Sequence, residues 1–145
     1  WMAQVIVTGV ISGIVVFMLA YRRLMGARHI YDVTLTEEGE NVMCRALFDT
    51  GNLLTDPVSG KPVSVVEETD IMKGWLEKYP QKYKIIPYQS VGNEHGLLEG
   101  IVVDELVIRK EQEQVVERGA VVAFYKGKLS RDGEFQMILN HSLMM

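Results

Sequence analysis

The chain has a single cysteine, Cys44, so no internal disulfide can form, and a reduced compartment is expected. Histidine is nearly as scarce: His29, His95 and His141 lie too far apart in sequence to form a local zinc motif, and neither metal nor cofactor is expected. Acidic residues are missing from the first thirty positions, where Arg22, Arg23 and Arg28 carry the only charges. Residues 31–145 hold the remaining 12 basic residues against all 19 acidic ones, a net charge of −7 with histidine neutral. That balance disfavours a phosphate-binding surface, so no nucleic-acid partner is expected. The chain also lacks internal repeats, low-complexity tracts and any glycine pattern for nucleotide binding.

The most extended absence is of charge between Ala3 and Tyr21, nineteen positions rich in Val, Ile, Leu, Met and Phe. That is about the length needed to cross the hydrocarbon of a bilayer. A cleaved signal peptide would carry positive charge before its apolar run, whereas here the arginines follow it and Trp1 precedes it. The expected orientation puts the N-terminus outside and the following domain in the cytoplasm. A buried helix of a soluble core is the alternative, although such helices rarely run this long without a charge. Gly9 and Gly13 form a G-x-x-x-G pair, flanked by Thr8 and Ser12, along which two helices could approach. Residues 1–28 are therefore read as a transmembrane helix with a basic cytoplasmic flank. Because the chain starts at Trp1, this helix is expected to be the last span of a larger membrane region. Residues 29–145 are read as one domain, cut short at its C-terminus.

In that domain Tyr31, Val33 and Leu35 alternate with Asp32, Thr34 and Thr36, the period of a half-buried strand. A turn at Glu38-Gly39-Glu40 leads to a second strand, Asn41 to Phe48, and Asp56 to Gly60 turns into a third, Pro62 to Val66, so this part reads as a meander. The period changes between Glu68 and Tyr79. Thr69 is a plausible cap there, Ile71, Trp75, Leu76 and Tyr79 share a helical face, and Pro80 stops the helix. Tyr83 to Val91 and Leu97 to Val103 form a hairpin with a glycine-bordered tip. Further strands are expected at Leu106 to Ile108, Ala120 to Tyr125 and Glu134 to Leu139, with the polar run Arg109 to Gln114 as a separator. A last element, read as a helix, begins at His141.

The chemistry centres on Ala46-Leu47-Phe48-Asp49-Thr50-Gly51-Asn52, an apolar strand that delivers a carboxylate, a hydroxyl and a glycine. As an aspartic peptidase turn, backbone N–H groups would bond the Asp49 carboxylate, Gly51 would admit a close backbone approach and Thr50 could tie two turns together. As a plain surface hairpin, Asp, Gly and Asn are ordinary turn residues. Activating water between carboxylates takes two of them sharing a proton, and none of Asp32, Asp56, Asp70, Asp104 or Asp132 is followed by Thr-Gly or Ser-Gly. The chain thus carries half a site, which a two-fold homodimer would complete. Cys44 and Ser90 are weaker nucleophile candidates, since Cys44 lies mid-strand on the apolar face.

The run Ala46 to Pro57, continuing Ser59-Gly60-Lys61-Pro62-Val63, resembles the membrane-bound aspartic peptidases of endospore-forming bacteria that process the precursor of the sporulation factor sigma-E. Ile86-Pro87-Tyr88-Gln89-Ser90-Val91-Gly92 with Gly96-Leu97-Leu98 is a second matching block. The resemblance implies several membrane spans followed by a retroviral-peptidase-like domain, a mainly β closed barrel or meander with one or two short helices, acting as a homodimer. It implies removal of the N-terminal pro-sequence of a sigma factor precursor at the septal membrane of the mother cell, stimulated by a secreted forespore signalling protein. On this resemblance Asp49 is the catalytic aspartate and Thr50, Gly51 and Asn52 its supporting turn, with Asn52 where many aspartic peptidases have Ser or Ala. The hairpin around Ser90 to Leu97 takes the place of the substrate-covering flap, with Ser90, Val91 and Gly92 as its substrate-binding residues. Met137-Ile138-Leu139-Asn140 resembles the apolar-apolar-Gly element that buttresses the catalytic loop, with Asn140 in place of the glycine. A non-catalytic membrane-anchored adaptor built on the same barrel is the rival reading.

Overall fold

The structure, a computed structural model, describes residues 2, 12–20, 30–49, 51–90 and 93–144. The chain divides into two compact units, Trp1–Ile30 and Tyr31–Met145. In the first, residues 12–20 are helical with exposed side chains. Residues 3–11 and 21–29, and with them Gly9 and the three arginines, lie outside the described residues. No helix among the described residues is long and apolar enough to cross a membrane, so the span read over residues 3–21 is not seen as one.

The second unit is mainly β. Its strands are β1 (Ile30–Glu37), β2 (Glu40–Phe48), β3 (Val63–Glu67), β4 (Tyr83–Ser90), β5 (Asn93–Val102), β6 (Glu105–Lys110), β7 (Glu113–Arg118), β8 (Val121–Tyr125) and β9 (Met137–Leu139), with helix α1 (Asp70–Lys78) between β3 and β4. They form one nine-stranded sheet in the order β4-β5-β8-β3-β9-β2-β1-β6-β7. The expected closed barrel is therefore corrected to an open sheet, with β4 and β7 as its edges. Closure would need those edges to pair. β7 instead presents exposed Glu113, Gln114 and Arg118, polar composition of the kind with which edge strands resist pairing.

The expected meander is corrected as well. β2 and β3 are not neighbours, because β9 lies between them, parallel to β2 (Phe48↔Leu139) and antiparallel to β3 (Val65↔Ile138). β7 itself was not anticipated. The polar run Arg109 to Gln114 holds the end of β6, a turn at Glu111 with φ +54°, and the start of β7, in whose sequence Val115 and Val116 stand between charged and polar residues.

Central strands β3 and β8 run parallel and are buried on both faces, which is why Val63-Ser64-Val65-Val66 and Val121-Val122-Ala123-Phe124 read as continuous apolar stretches rather than alternating ones. One face packs Val66, Val122 and Phe124 into the main core with Leu35, Ala46 and α1. The helix seats Met72 and Trp75 there, both fully buried, while Ile71 is 45% exposed. The inward positions are thus 72, 75, 76 and 79, one helical stripe, with Thr69 accepting from Met72 N–H as the N-cap. The other face packs Val63, Val65, Ile86, Val121 and Ala123 into a second, smaller cluster.

Candidate active site

Because β2 and β9 are parallel, their C-terminal ends emerge on the same side of the sheet, and Asp49 and Asn140 leave them together. Asp49 turns back on itself. Its Oδ1 accepts the Gly51 N–H at 2.8 Å and its carbonyl accepts the Asn52 N–H at 3.1 Å. A Cβ on Gly51 would lie 3.2 Å from Asp49 Oδ1, so glycine is what lets the backbone donor come this close. Thr50 lies outside the described residues.

Two buried asparagines fasten this loop. Asn52 sends its amide to the carbonyls of Val63 (3.3 Å) and Ile138 (3.2 Å), accepts the Leu54 N–H on Oδ1 at 3.2 Å, and accepts the His141 N–H on its own carbonyl at 3.0 Å. Asn140, 1% exposed, donates to the carbonyls of Leu54 (2.7 Å) and Val63 (3.3 Å), while its Oδ1 accepts Ser142 N–H and Oγ–H. The strand entering the loop, the strand leaving it and β9 are thereby tied through side-chain amides. Where the resemblance has a glycine, Asn140 buttresses the loop with its side chain. His141 adds its ring against Phe48, centroids 5.9 Å apart.

The loop forms one wall of a cleft of ≈ 1050 Å³. Asp49, Gly51, Asn52 and Leu53 line one side, the β4–β5 hairpin lines the other through Pro87–Gln89 and His95–Leu98, and Val65, Leu129 and Ile138 form the floor. Leu54, Val65, Leu98 and Leu129 also belong to or pack against the second core cluster, so the cleft is that core opening to the surface. Among the described lining residues Asp49 is the one carboxylate. Of the expected flap residues, Ser90 ends β4 opposite Asn93, its side chain lying outside the described set with Val91 and Gly92. The described hairpin residues in the cleft include Tyr88 and Gly96, both of the second matching block, but their pairing across the hairpin was not expected. The available signal was a glycine inside a strand.

Asp56 anchors the far end of the loop. Its side chain is 1% exposed; burial alone would raise the carboxyl, but hydrogen bonds from Ser59 Oγ, Lys84 and Val58 N–H outweigh that and bring it from 3.8 to about 2. The Lys84 contact, at 3.1 Å, joins the loop to β4 of the hairpin. A carboxyl held lower in the fold than in the open chain stabilises the fold above its open-chain value, and that gain fades as pH falls towards 2. Asp56→Asn is therefore expected to lower stability by about 2 kcal/mol at pH 7, with the two proteins converging in urea titrations between pH 4 and 2.

Cys44 is pushed up to about 12 by burial and by the nearby Glu67 charge, which leaves it a packing residue rather than a thiolate. Glu37, Glu38 and Asp104 are the described acidic groups close enough to share an ion, within 4.8 Å of one another. Lys82 already pairs with fully buried Glu37 and, at 2.8 Å, with Asp104. Burial would lower the Lys82 ammonium, yet these two partners hold it at about 12.

Fold and cleft together define a mainly β domain with one carboxylate among the described residues that line an apolar cleft. Over residues 1–143 the chain matches Peptidase U4, sporulation factor SpoIIGA, and it belongs to that family. It is 28% identical over 122 residues to the sporulation sigma-E factor-processing peptidase of Bacillus subtilis (strain 168), covering 69% of this chain and 40% of that protein. It is 25% identical over 126 residues to the putative sporulation sigma factor-processing peptidase of Bacillus thuringiensis subsp. kurstaki, covering 73% and 78%. A probable sporulation sigma-E factor-processing peptidase of Clostridium acetobutylicum is 28% identical over 113 residues, covering 77% of this chain and 41% of the relative. The chain thus spans about two fifths of the Bacillus subtilis and Clostridium proteins. No solved structure matches it.

Proposed function

We propose that this chain is the catalytic part of a membrane-anchored aspartic endopeptidase that removes the N-terminal pro-sequence of a sporulation sigma factor precursor. The observation that carries the reading is the Asp49 loop: a carboxylate held by Gly51 N–H, pinned by Asn52 and Asn140, and facing an apolar cleft. The names of the relatives support the substrate, and the insertion of β9 between β2 and β3 supports an aspartic peptidase loop of the retroviral kind, here on an open sheet.

One carboxylate among the described residues of the cleft is half of what the chemistry needs, so the enzyme is a homodimer with one Asp49 from each chain. One carboxylate is ionised and takes a proton from a water held between the two. That water attacks the scissile carbonyl while the protonated twin donates to its oxygen, and proton return to the leaving nitrogen completes hydrolysis without a covalent intermediate. The peptidase domain works at the cytoplasmic side of the mother-cell septal membrane, and a secreted forespore protein activates it.

Subunit mixing tests the shared site. At constant total chain, an equal mixture of wild type and Asp49→Ala retains about a quarter of the wild-type cleavage of the purified precursor, since only wild-type pairs hold two carboxylates. Retention of half would mean that each chain works alone and would overturn the dimeric site.

A further inference from the structure

The β4–β5 hairpin pairs Tyr88 with Gly96, and its register shifts immediately beyond, between Tyr88 and Ser90. A Cβ built on Gly96 would lie 2.3 Å from Tyr88 Cζ, 2.4 Å from Cε1 and 2.8 Å from Cε2. The ring therefore lies flat on the backbone of residue 96, in space that any side chain there would occupy. On β4, Tyr88 shares its face with Ile86, which is fully buried in the second cluster; on β5, Gly96 shares its face with Leu98, packed on that cluster. The same face thus runs from closed core to open cleft, and Tyr88 is its half-buried aromatic end, lining the cleft with Asp49. No lysine or arginine is among the described residues lining the cleft, so an anionic side chain seated there would meet Asp49 without a fixed positive charge.

We propose that Tyr88, laid flat by Gly96, is a specificity-determining residue: its ring is the wall that seats one large uncharged side chain of the substrate beside the scissile bond. This rests on the peptidase reading above. Gly96 acts through Tyr88 as a positioning residue, since it alone leaves the ring room to lie down.

A double-mutant cycle in the full chain tests it, read first as binding of fluorescently labelled sigma factor precursor to proteins that also carry Asp49→Asn and so do not cut it. Gly96→Ala and Tyr88→Ala each weaken binding about tenfold, whereas adding Gly96→Ala to Tyr88→Ala costs less than about twofold, because the obstructing ring is gone. Tyr88→Phe recovers most of the loss of Tyr88→Ala. In chains that retain Asp49 the loss falls on KM, with kcat within about threefold. If Gly96→Ala alone fails to fold, the double variant folds again. Equal Gly96→Ala losses with and without the ring, wild-type binding by Tyr88→Ala, or a double variant that stays unfolded would each overturn the proposal. The catalytic reading fails separately: cleavage that survives Asp49→Ala sinks it while the binding cycle stands.

Discussion

Asp49→Ala is expected to abolish cleavage of the precursor, a loss of at least about 10³-fold, while the domain stays folded. In the proposed dimer both carboxylates are lost at once, so neither a base for the water nor an acid for the carbonyl oxygen would remain. The fold loses little, because the Asp49 side chain is half-buried and its described bond is to the Gly51 N–H, a turn at the cleft edge. A destabilisation of about 1 kcal/mol is the expected size of that one bond. Asp49→Asn sharpens the test, since an amide oxygen can still accept from Gly51 but cannot take the water's proton. A time course of precursor shortening, run beside thermal unfolding of each variant, separates chemistry from folding. Persistent shortening in either variant would sink the aspartic mechanism.

Asn140→Ala destabilises the domain by about 3 kcal/mol and carries activity down with it. The residue is 1% exposed, and its amide is the described side-chain donor to the Leu54 carbonyl, at 2.7 Å. Truncation takes away one of that carbonyl's two donors, leaving it the Val63 N–H at 2.9 Å, and frees Ser142 as well. Val63 O suffers less, because Asn52 also reaches it. Asn140→Asp tests the direction of these bonds: the acceptor for Ser142 survives, but an anion now faces two carbonyl oxygens, so its loss should be at least as large at pH 7 as that of alanine. Urea unfolding measures both. A midpoint unchanged in Asn140→Ala would show that β9 holds the loop through its backbone alone.

Much of the fold could be read from local pattern because its strands bury alternate residues. Val33 and Leu35 announced β1, the β-branched run at Val63 announced β3, and Thr69 with Pro80 bracketed α1. What escaped depended on distance along the chain. Nothing near Phe48 says that its neighbour is Leu139, some ninety residues on, so β1 to β3 read as a meander. Likewise, whether β4 and β7 meet is settled by the twist and order of the whole sheet, which no short window contains. Ile71 was preferred to Met72 because both fit a helical stripe, and only packing against Phe124 and Leu35 decides which one turns inward. At the candidate site, Asp49, Gly51 and Asn52 stood out in the sequence because aspartic peptidase chemistry would need those residue types in a row. Asn140 was picked out only through the resemblance, and the pairing of Tyr88 with Gly96 was not foreseen, since its meaning lies in what stands opposite.

The position of β9 also sets a timetable. The loop that presents Asp49 leaves the ribosome some ninety residues before the strand that holds it, and the gap between β2 and β3 can be filled only from within, by a segment that arrives last. Closing so long a loop is an entropically late event, and sheets built on such distant pairings assemble slowly. A growing chain that has not yet reached Met137–Leu139 therefore displays Asp49 in an unbraced turn, and the loop goes without its brace until β9 has been made.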